Sequence, residues 1–223
     1  MTGNKRQKDN HMPVSSIKRG AIKGFIQAGG RSSRMGHDKA WLEIGGSPMI
    51  ERVLNAMRPV TDKISIVVNS KNPNHKIYEE LAGKWDLEII DDLHDHRGPL
   101  GGIDTALGSC LKHESALILA CDLPFITPVF LSFLCNKHLE DYRQVVTVPL
   151  DQEQRLQPLS AVYHRSCRRS IKQMLAHNEL KVDLLYSRVR VRRVDFDEFA
   201  HLPGAGHFFS NVNTMEEYQR ITK

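Results

Sequence analysis

The chain is poor in cysteine, and none of its four thiols stands in a pair that spacing would join. Cys110, Cys121, Cys135 and Cys167 form no C-x-x-C and no zinc-type interval. Each has apolar neighbours, which predicts reduced, mostly buried thiols and argues against a disulfide scaffold. No apolar run approaches the length that spans a bilayer, and no signal-peptide pattern opens the chain. A cytoplasmic location with no membrane role is therefore expected. Two common phosphate motifs are missing as well. The lack of G-x-x-x-x-G-K-[ST] disfavours a P-loop GTPase, and the lack of G-x-G-x-x-G removes the dinucleotide fingerprint. No Ser/His/Asp or Cys/His arrangement for nucleophilic catalysis stands out either.

What is present is an ordinary globular composition with an uneven charge distribution. The 223 residues are 40% hydrophobic and 26% charged, enough for one α/β domain with a full core. The net charge of +5 invites a nucleic-acid reading, but its location argues against one. Residues 1–23 hold Lys5, Arg6, Lys8, Lys18, Arg19 and Lys23 against Asp9, so the remaining 200 residues sum to zero. Residues 1–20 are expected to be a disordered basic tail, ahead of a single domain over 21–223. A tail that bound nucleic acid would do so salt-sensitively.

Hydrophobic patterning predicts strands alternating with helices. Strands are expected at 22–26, 64–69, 87–90, 116–121, 144–149, 159–163 and 190–194. "ISIVVN" and "ALILAC" are near-continuous apolar runs, the mark of strands covered on both faces. Ser47 and Pro48 read as cap and first-turn proline of a helix carrying Ile50, Val53, Leu54 and Met57 on one face. A short helix is expected near 76–82. Gly98-Pro-Leu-Gly-Gly102 reads as a break before a helix presenting Ile103, Ala106, Leu107, Cys110 and Leu111. Thr127-Pro128 opens another helix, and two more are expected over 167–177 and after Thr214. The pattern implies a three-layer αβα sandwich with a Rossmann-like, mostly parallel sheet.

In open sheets of this kind, ligands bind beyond the carboxyl ends of the strands. Four such ends carry polar groups here: the Gly29-Gly30 loop, Asn69, Asp91 with Asp92, and Asp122. The segment D91-D-L-H-D-H96 also suggests a metal site, weighed against a simple polar loop. After the first strand comes A28-G-G-R-S-S-R-M-G36 and then D38-K39. Paired glycines let backbone N–H groups approach an anion, while Arg34 and Lys39 can neutralise a polyphosphate from two sides. Between Arg165 and Arg193, nine Lys/Arg face Glu179 and Asp183. That is either a solvated surface or one that attracts an anionic acceptor or an acidic partner.

These residues reach a resemblance. A28-G-G-R-S-S-R-M-G-H-D-K39 is similar to the signature of nucleotidyltransferases with the nucleotide-diphospho-sugar transferase fold. Asn69 after "VV", "IIDD" ending at Asp92, G98-P-L-G-G102, C121-D-L-P124, Q157-P-L-S-A-V-Y163 and N211-V-N-T214 follow in family order. Together they most resemble the molybdenum cofactor guanylyltransferase family, from about Ile22 to the end of the chain. Two departures stand out: Gln27 replaces an aliphatic residue, and only His37 separates Met-Gly from Asp-Lys.

The resemblance implies transfer of GMP from GTP to molybdopterin with release of pyrophosphate, and Mg²⁺ as cofactor. It implies nucleotide contacts from Gln27, Ala28, Gly29, Lys39, Asn69, Asp92 and Asp122, with Asp122 also the metal ligand. Arg34, Lys39 and Asp122 become the expected catalytic residues; Gly101, Gly102, Asn211 and Asn213 the expected substrate contacts. A protein that delivers or receives the cofactor is a further expected partner. Gln27 keeps guanine against cytosine open. Nucleotide transfer to a sugar phosphate would use the same fold and the same phosphate chemistry. A non-catalytic, cofactor-carrying GTP-binding protein would need less: retention of both Lys39 and Asp122 weighs against such a carrier.

Overall fold

The computed structural model describes residues 22–28, 38–94, 96–141 and 143–210. Its centre is a seven-stranded sheet. The chain runs β1 (Ile22–Gln27), β2 (Glu43–Ile44), β3 (Ser47–Pro48), α1 (Met49–Met57), β4 (Ile64–Val68), α2 (His75–Trp85) and β5 (Glu88–Asp91). It continues through α3 (Gly98–Gly108), β6 (Ser115–Ala120), α4 (Pro128–Leu139), β7 (Val146–Pro149) and β8 (Ser160–His164). Last come α5 (Arg168–Ala176), β9 (Val191–Val194) and the short α6 (Phe196–Phe199). The helix expected after Thr214 lies outside the described residues, as does the expected tail.

The strand order is β5-β4-β1-β6-β8-β7-β9, with β8 alone running against its neighbours. Period-two alternation along the strands feeds two cores. Leu117 and Leu119 of β6 join one face with Ile50, Leu54, Leu81 and Phe130, whereas Ala116 and Ile118 join the other with Ile103, Leu107, Ile171 and Met174. Helices α1, α2, α4 and α6 therefore cover one face, and α3 with α5 the other. Three layers follow, the expected αβα sandwich around a mostly parallel sheet.

The expected thiols agree: Cys110, Cys135 and Cys167 are buried, Cys121 is half-buried, and none of the four forms a disulfide. Thr127 caps α4 through its side chain, with Pro128 in the first turn. Three local expectations are corrected. Ser47 is not a helix cap; it pairs with Ile44 in the β2–β3 hairpin, and Pro48 becomes the N-cap of α1 without a side-chain bond. Gly98–Gly102 does not break the chain but forms the first turns of α3, because close packing of His94 and Gln27 over Gly101 and Gly102 outweighs the poor helix propensity of glycine. Leu111 lies beyond α3 and is exposed, since the helix ends three residues earlier.

Candidate active site

The carboxyl ends of β5, β4, β1 and β6 lie side by side, and their register sets the site. Val68 aligns with Asp91, Gln27 with Val67, and Gln27 with Ala120. The backbone ladder runs one residue past each strand: Ala28 N–H donates to Val67 O at 2.9 Å, Cys121 N–H to Gln27 O at 3.3 Å, and Asp92 N–H to Val68 O at 3.1 Å. Ala28, Asn69, Asp92 and the pair Cys121-Asp122 therefore emerge in a row on one rim.

At one end of the row, Asn69 shapes its turn by accepting the Lys71 N–H at 2.8 Å through Oδ1. Ser70 ties the same turn to Asp91, its N–H and hydroxyl reaching the two carboxylate oxygens at 2.7 and 2.9 Å. Asp92 Oδ1 accepts from the Thr105 hydroxyl at 3.0 Å and the His94 N–H at 3.1 Å. Burial raises the Asp92 carboxyl above its usual range against those bonds.

The segment Asp91–His96 forms no metal cluster among the described residues. His94 turns inward instead, its Nε2 2.9 Å from Oδ2 of the buried Asp104, whose Oδ1 accepts from Arg168 Nε at 2.9 Å. A Cβ on Gly101 would stand 2.8 Å from His94 Cβ, so the glycine admits this fold of the loop. Gly102 does the same for Gln27: an added Cβ would fall 2.1 Å from Gln27 Nε2. Both glycines are buried in α3, beneath His94 and Gln27. The Gln27 Oε1 atom is buried and accepts no hydrogen bond among the described residues. A buried acceptor left in that state costs about 1–3 kcal/mol unless something supplies a donor.

At the other end stand Lys39 and Asp122. Asp38 caps the short 3-10 turn Lys39–Trp41 by accepting the Ala40 N–H at 3.1 Å. Burial pushes the Asp122 carboxyl up, and the nearby positive charge of Lys39 pulls it down. The two side chains thus act on each other at the end of β6. Arg52 of α1 braces the loop that follows, donating to Pro124 O at 3.1 Å and to Ile44 O at 3.2 Å.

Of the expected site residues, Gln27, Ala28, Lys39, Asn69, Asp92 and Asp122 share this rim. Gly29, Arg34, Asn211 and Asn213 lie outside the described residues. Asp38, Thr105 and Arg52 bear on the site without having been expected there; D38-K39 in the glycine-loop segment was the one visible signal, and nothing marked the other two. The basic region divides. Arg168 is bonded to Asp104, Arg188 to Glu179 and Arg192 to Glu198, while Arg169, Lys172, Lys181, Arg190 and Arg193 are exposed. No helix among the described residues is long and apolar enough to cross a membrane.

As a donor set for Mg²⁺, the rim offers the Asp122 carboxylate beside a cation that would face phosphate. Magnesium is commonly held by one or two carboxylates, substrate phosphates and water, so this set fits such an ion without a protein cage.

Comparison with known proteins supplies an independent finding. The model of the MobA-like NTP transferase domain matches residues 24–191. A probable molybdenum cofactor guanylyltransferase of Clostridium perfringens strain 13 is 35% identical over 202 residues, 89% of this chain and 94% of that protein. One from Pelotomaculum thermopropionicum is 37% identical over 194 residues, 87% of this chain and 88% of its own length. Among solved structures, molybdopterin-guanine dinucleotide biosynthesis protein A from Archaeoglobus fulgidus superimposes with a TM-score of 0.73 at 25% identity. That match covers 90% of this chain and 96% of the other.

Proposed function

The chain belongs to the MobA-like NTP transferase family and is a nucleotidyltransferase; from that premise we propose that it transfers GMP from GTP to molybdopterin. The molybdopterin phosphate oxygen forms a bond to the α-phosphorus of GTP. The α–β phosphoanhydride bond breaks, and pyrophosphate leaves with its electron pair. The observation that supports this reading is the nearness of the Lys39 charge to Asp122, on the rim shared by Gln27, Ala28, Asn69 and Asp92.

The chemistry asks little of the protein in proton transfer. A phosphate monoester has a second pKa near ~6 and is largely ionised at neutral pH, so no general base is required. The barrier lies in bringing two anions together, which positioning and charge compensation lower. Lys39 would neutralise the triphosphate and the leaving pyrophosphate, with Arg34 from the glycine loop as a second cation. Asp122 would hold Mg²⁺, which when bound offsets further phosphate charge. Gln27 and Ala28 would border the base, with the Gln27 amide as a hydrogen-bonding group there. Asn69 and Asp92 would flank the nucleotide, and Gly101 and Gly102 act through the residues packed on them. Asn211 and Asn213 would complete the acceptor side.

Incubation with molybdopterin, Mg²⁺ and each nucleoside triphosphate in turn, with the product identified by mass, tests the reading. GTP should give the guanine dinucleotide and one pyrophosphate per product. A product formed only with CTP would overturn the base assignment, and no product with any triphosphate would overturn the reaction.

A further inference from the structure

Tyr78 stands where the transfer reaction has no direct use for it. It is fully buried on α2, yet its hydroxyl donates to Asp38 Oδ2 at 2.7 Å. Asn74 Nδ2 reaches the same oxygen at 3.5 Å, and Asp38 Oδ1 is occupied by the Ala40 N–H at 3.1 Å. The Trp41 ring at the end of the turn packs on Tyr78 with centroids 5.4 Å apart and planes tilted by 53°. Burial holds the phenol protonated far above its usual range, and negative charge on Cys121 or Asp38 would raise it further. The phenol is therefore a constant donor lying near both Asp38-Lys39 and the strand-end pair Cys121-Asp122.

An acid immediately before a phosphate-binding lysine is a liability. Left loose, the Asp38 carboxylate could pair with Lys39 or repel a triphosphate. Its two oxygens are instead committed to the turn and to α2. We propose that Tyr78 is a positioning residue for phosphate binding: its hydroxyl anchors Asp38 to α2, which keeps that carboxylate off Lys39 and fixes the Lys39–Trp41 turn beside Asp122. The inference rests on the reading of Lys39 as the triphosphate contact.

The test is calorimetric titration of the full chain with GTP and with guanosine, in Mg²⁺, for the unaltered protein, Tyr78→Phe, Lys39→Ala and the double variant. Tyr78→Phe should weaken GTP about tenfold, the loss of one good hydrogen bond, while guanosine binding stays unchanged. The double variant should bind GTP no worse than Lys39→Ala alone, because Tyr78 acts through that lysine. Equal weakening of GTP and guanosine, additive losses in the double variant, or unaltered GTP binding by a folded Tyr78→Phe would each overturn the proposal. Should Tyr78→Phe not fold, Asp38→Glu keeps the ring packing and the negative charge but shifts the carboxylate off the Tyr78 hydroxyl, and must give the same pattern. Failure of the unaltered chain to bind GTP would instead overturn the functional reading on which this one stands.

Discussion

The two halves of the sheet differ in where their buried polar side chains find partners. On and beside β8-β7-β9 several are buried and bonded to one another, although Ser160 Oγ of β8 and Gln144 Oε1 meet no partner among the described residues. His138 sits between Ser115 Oγ at 2.9 Å and Thr147 Oγ1 at 3.0 Å, and the Tyr163 hydroxyl meets Pro158 O at 2.8 Å and the Tyr186 hydroxyl at 3.1 Å. Asp151 accepts from the N–H groups of Glu153 and Arg155, and from the side chains of Arg155 and Gln157. On the β5-β4-β1-β6 side, the strand-end residues hold less closed positions. Gln27 keeps a buried acceptor that meets no donor among the described residues, and the Asp92 and Asp122 carboxyls are pushed up by burial. Asp151, also buried, is held below its usual range by its hydrogen bonds, which outweigh the effect of burial. A satisfied polar network rigidifies a fold, whereas incompletely satisfied groups on a rim are what a charged ligand can complete.

The sharpest way to break this contrast is at Asp122. Asp122→Ala should abolish Mg²⁺-dependent turnover while the melting curve shows an intact fold; near-normal turnover would remove the carboxylate from the mechanism. The opposite half is tested through acid. Burial, and secondarily the field of His164, pushes His138 down to about 4. The unfolded chain takes up that proton below about pH 6.5, while the folded chain does not until about pH 4. Stability from this group is therefore present above pH 6.5 and lost as pH falls toward 4, by about 3 kcal/mol in total. Denaturant midpoints at pH 7.5 and 4.5 should fall further apart in the unaltered protein than in His138→Gln; equal shifts would show that the imidazole does not carry the loss.

A smaller effect sharpens the boundary between the halves. In Gly102→Ala the new methyl group displaces the Gln27 amide, the flexible end of a side chain, and leaves the backbone in place. GTP affinity should drop by about 1 kcal/mol, the scale of one hydrogen bond, with little change in melting temperature. A large loss of stability with unchanged affinity would make Gly102 a packing residue alone.

Much of this was legible beforehand where a local pattern meets one environment. Ile64–Val68 and Ser115–Ala120 are apolar but for Ser65 and Ser115 because both faces are covered, and each reads as a strand on sight. Their ends predict the rim, since ligand groups gather beyond parallel strands. Where residues answer to distant neighbours, local pattern misleads. Gly98, Pro99, Gly101 and Gly102 look like a break, yet they start a helix because His94 and Gln27 press onto it. His94 resembled a metal ligand beside His96, but its partner is Asp104, ten residues away on α3. Tyr78 carried no signal at all, for its role depends on a residue 40 positions earlier.

By itself the sequence determined the alternation of strands and helices, the order of polar residues at the strand ends and the resemblance to a nucleotidyltransferase family. These are short-range properties, set by side-chain period and by motif. Which of those polar groups come near one another, which are already satisfied and which are not was decided only by the tertiary structure. Burial and hydrogen-bond partners arise between segments far apart in the chain, and no local spacing encodes them.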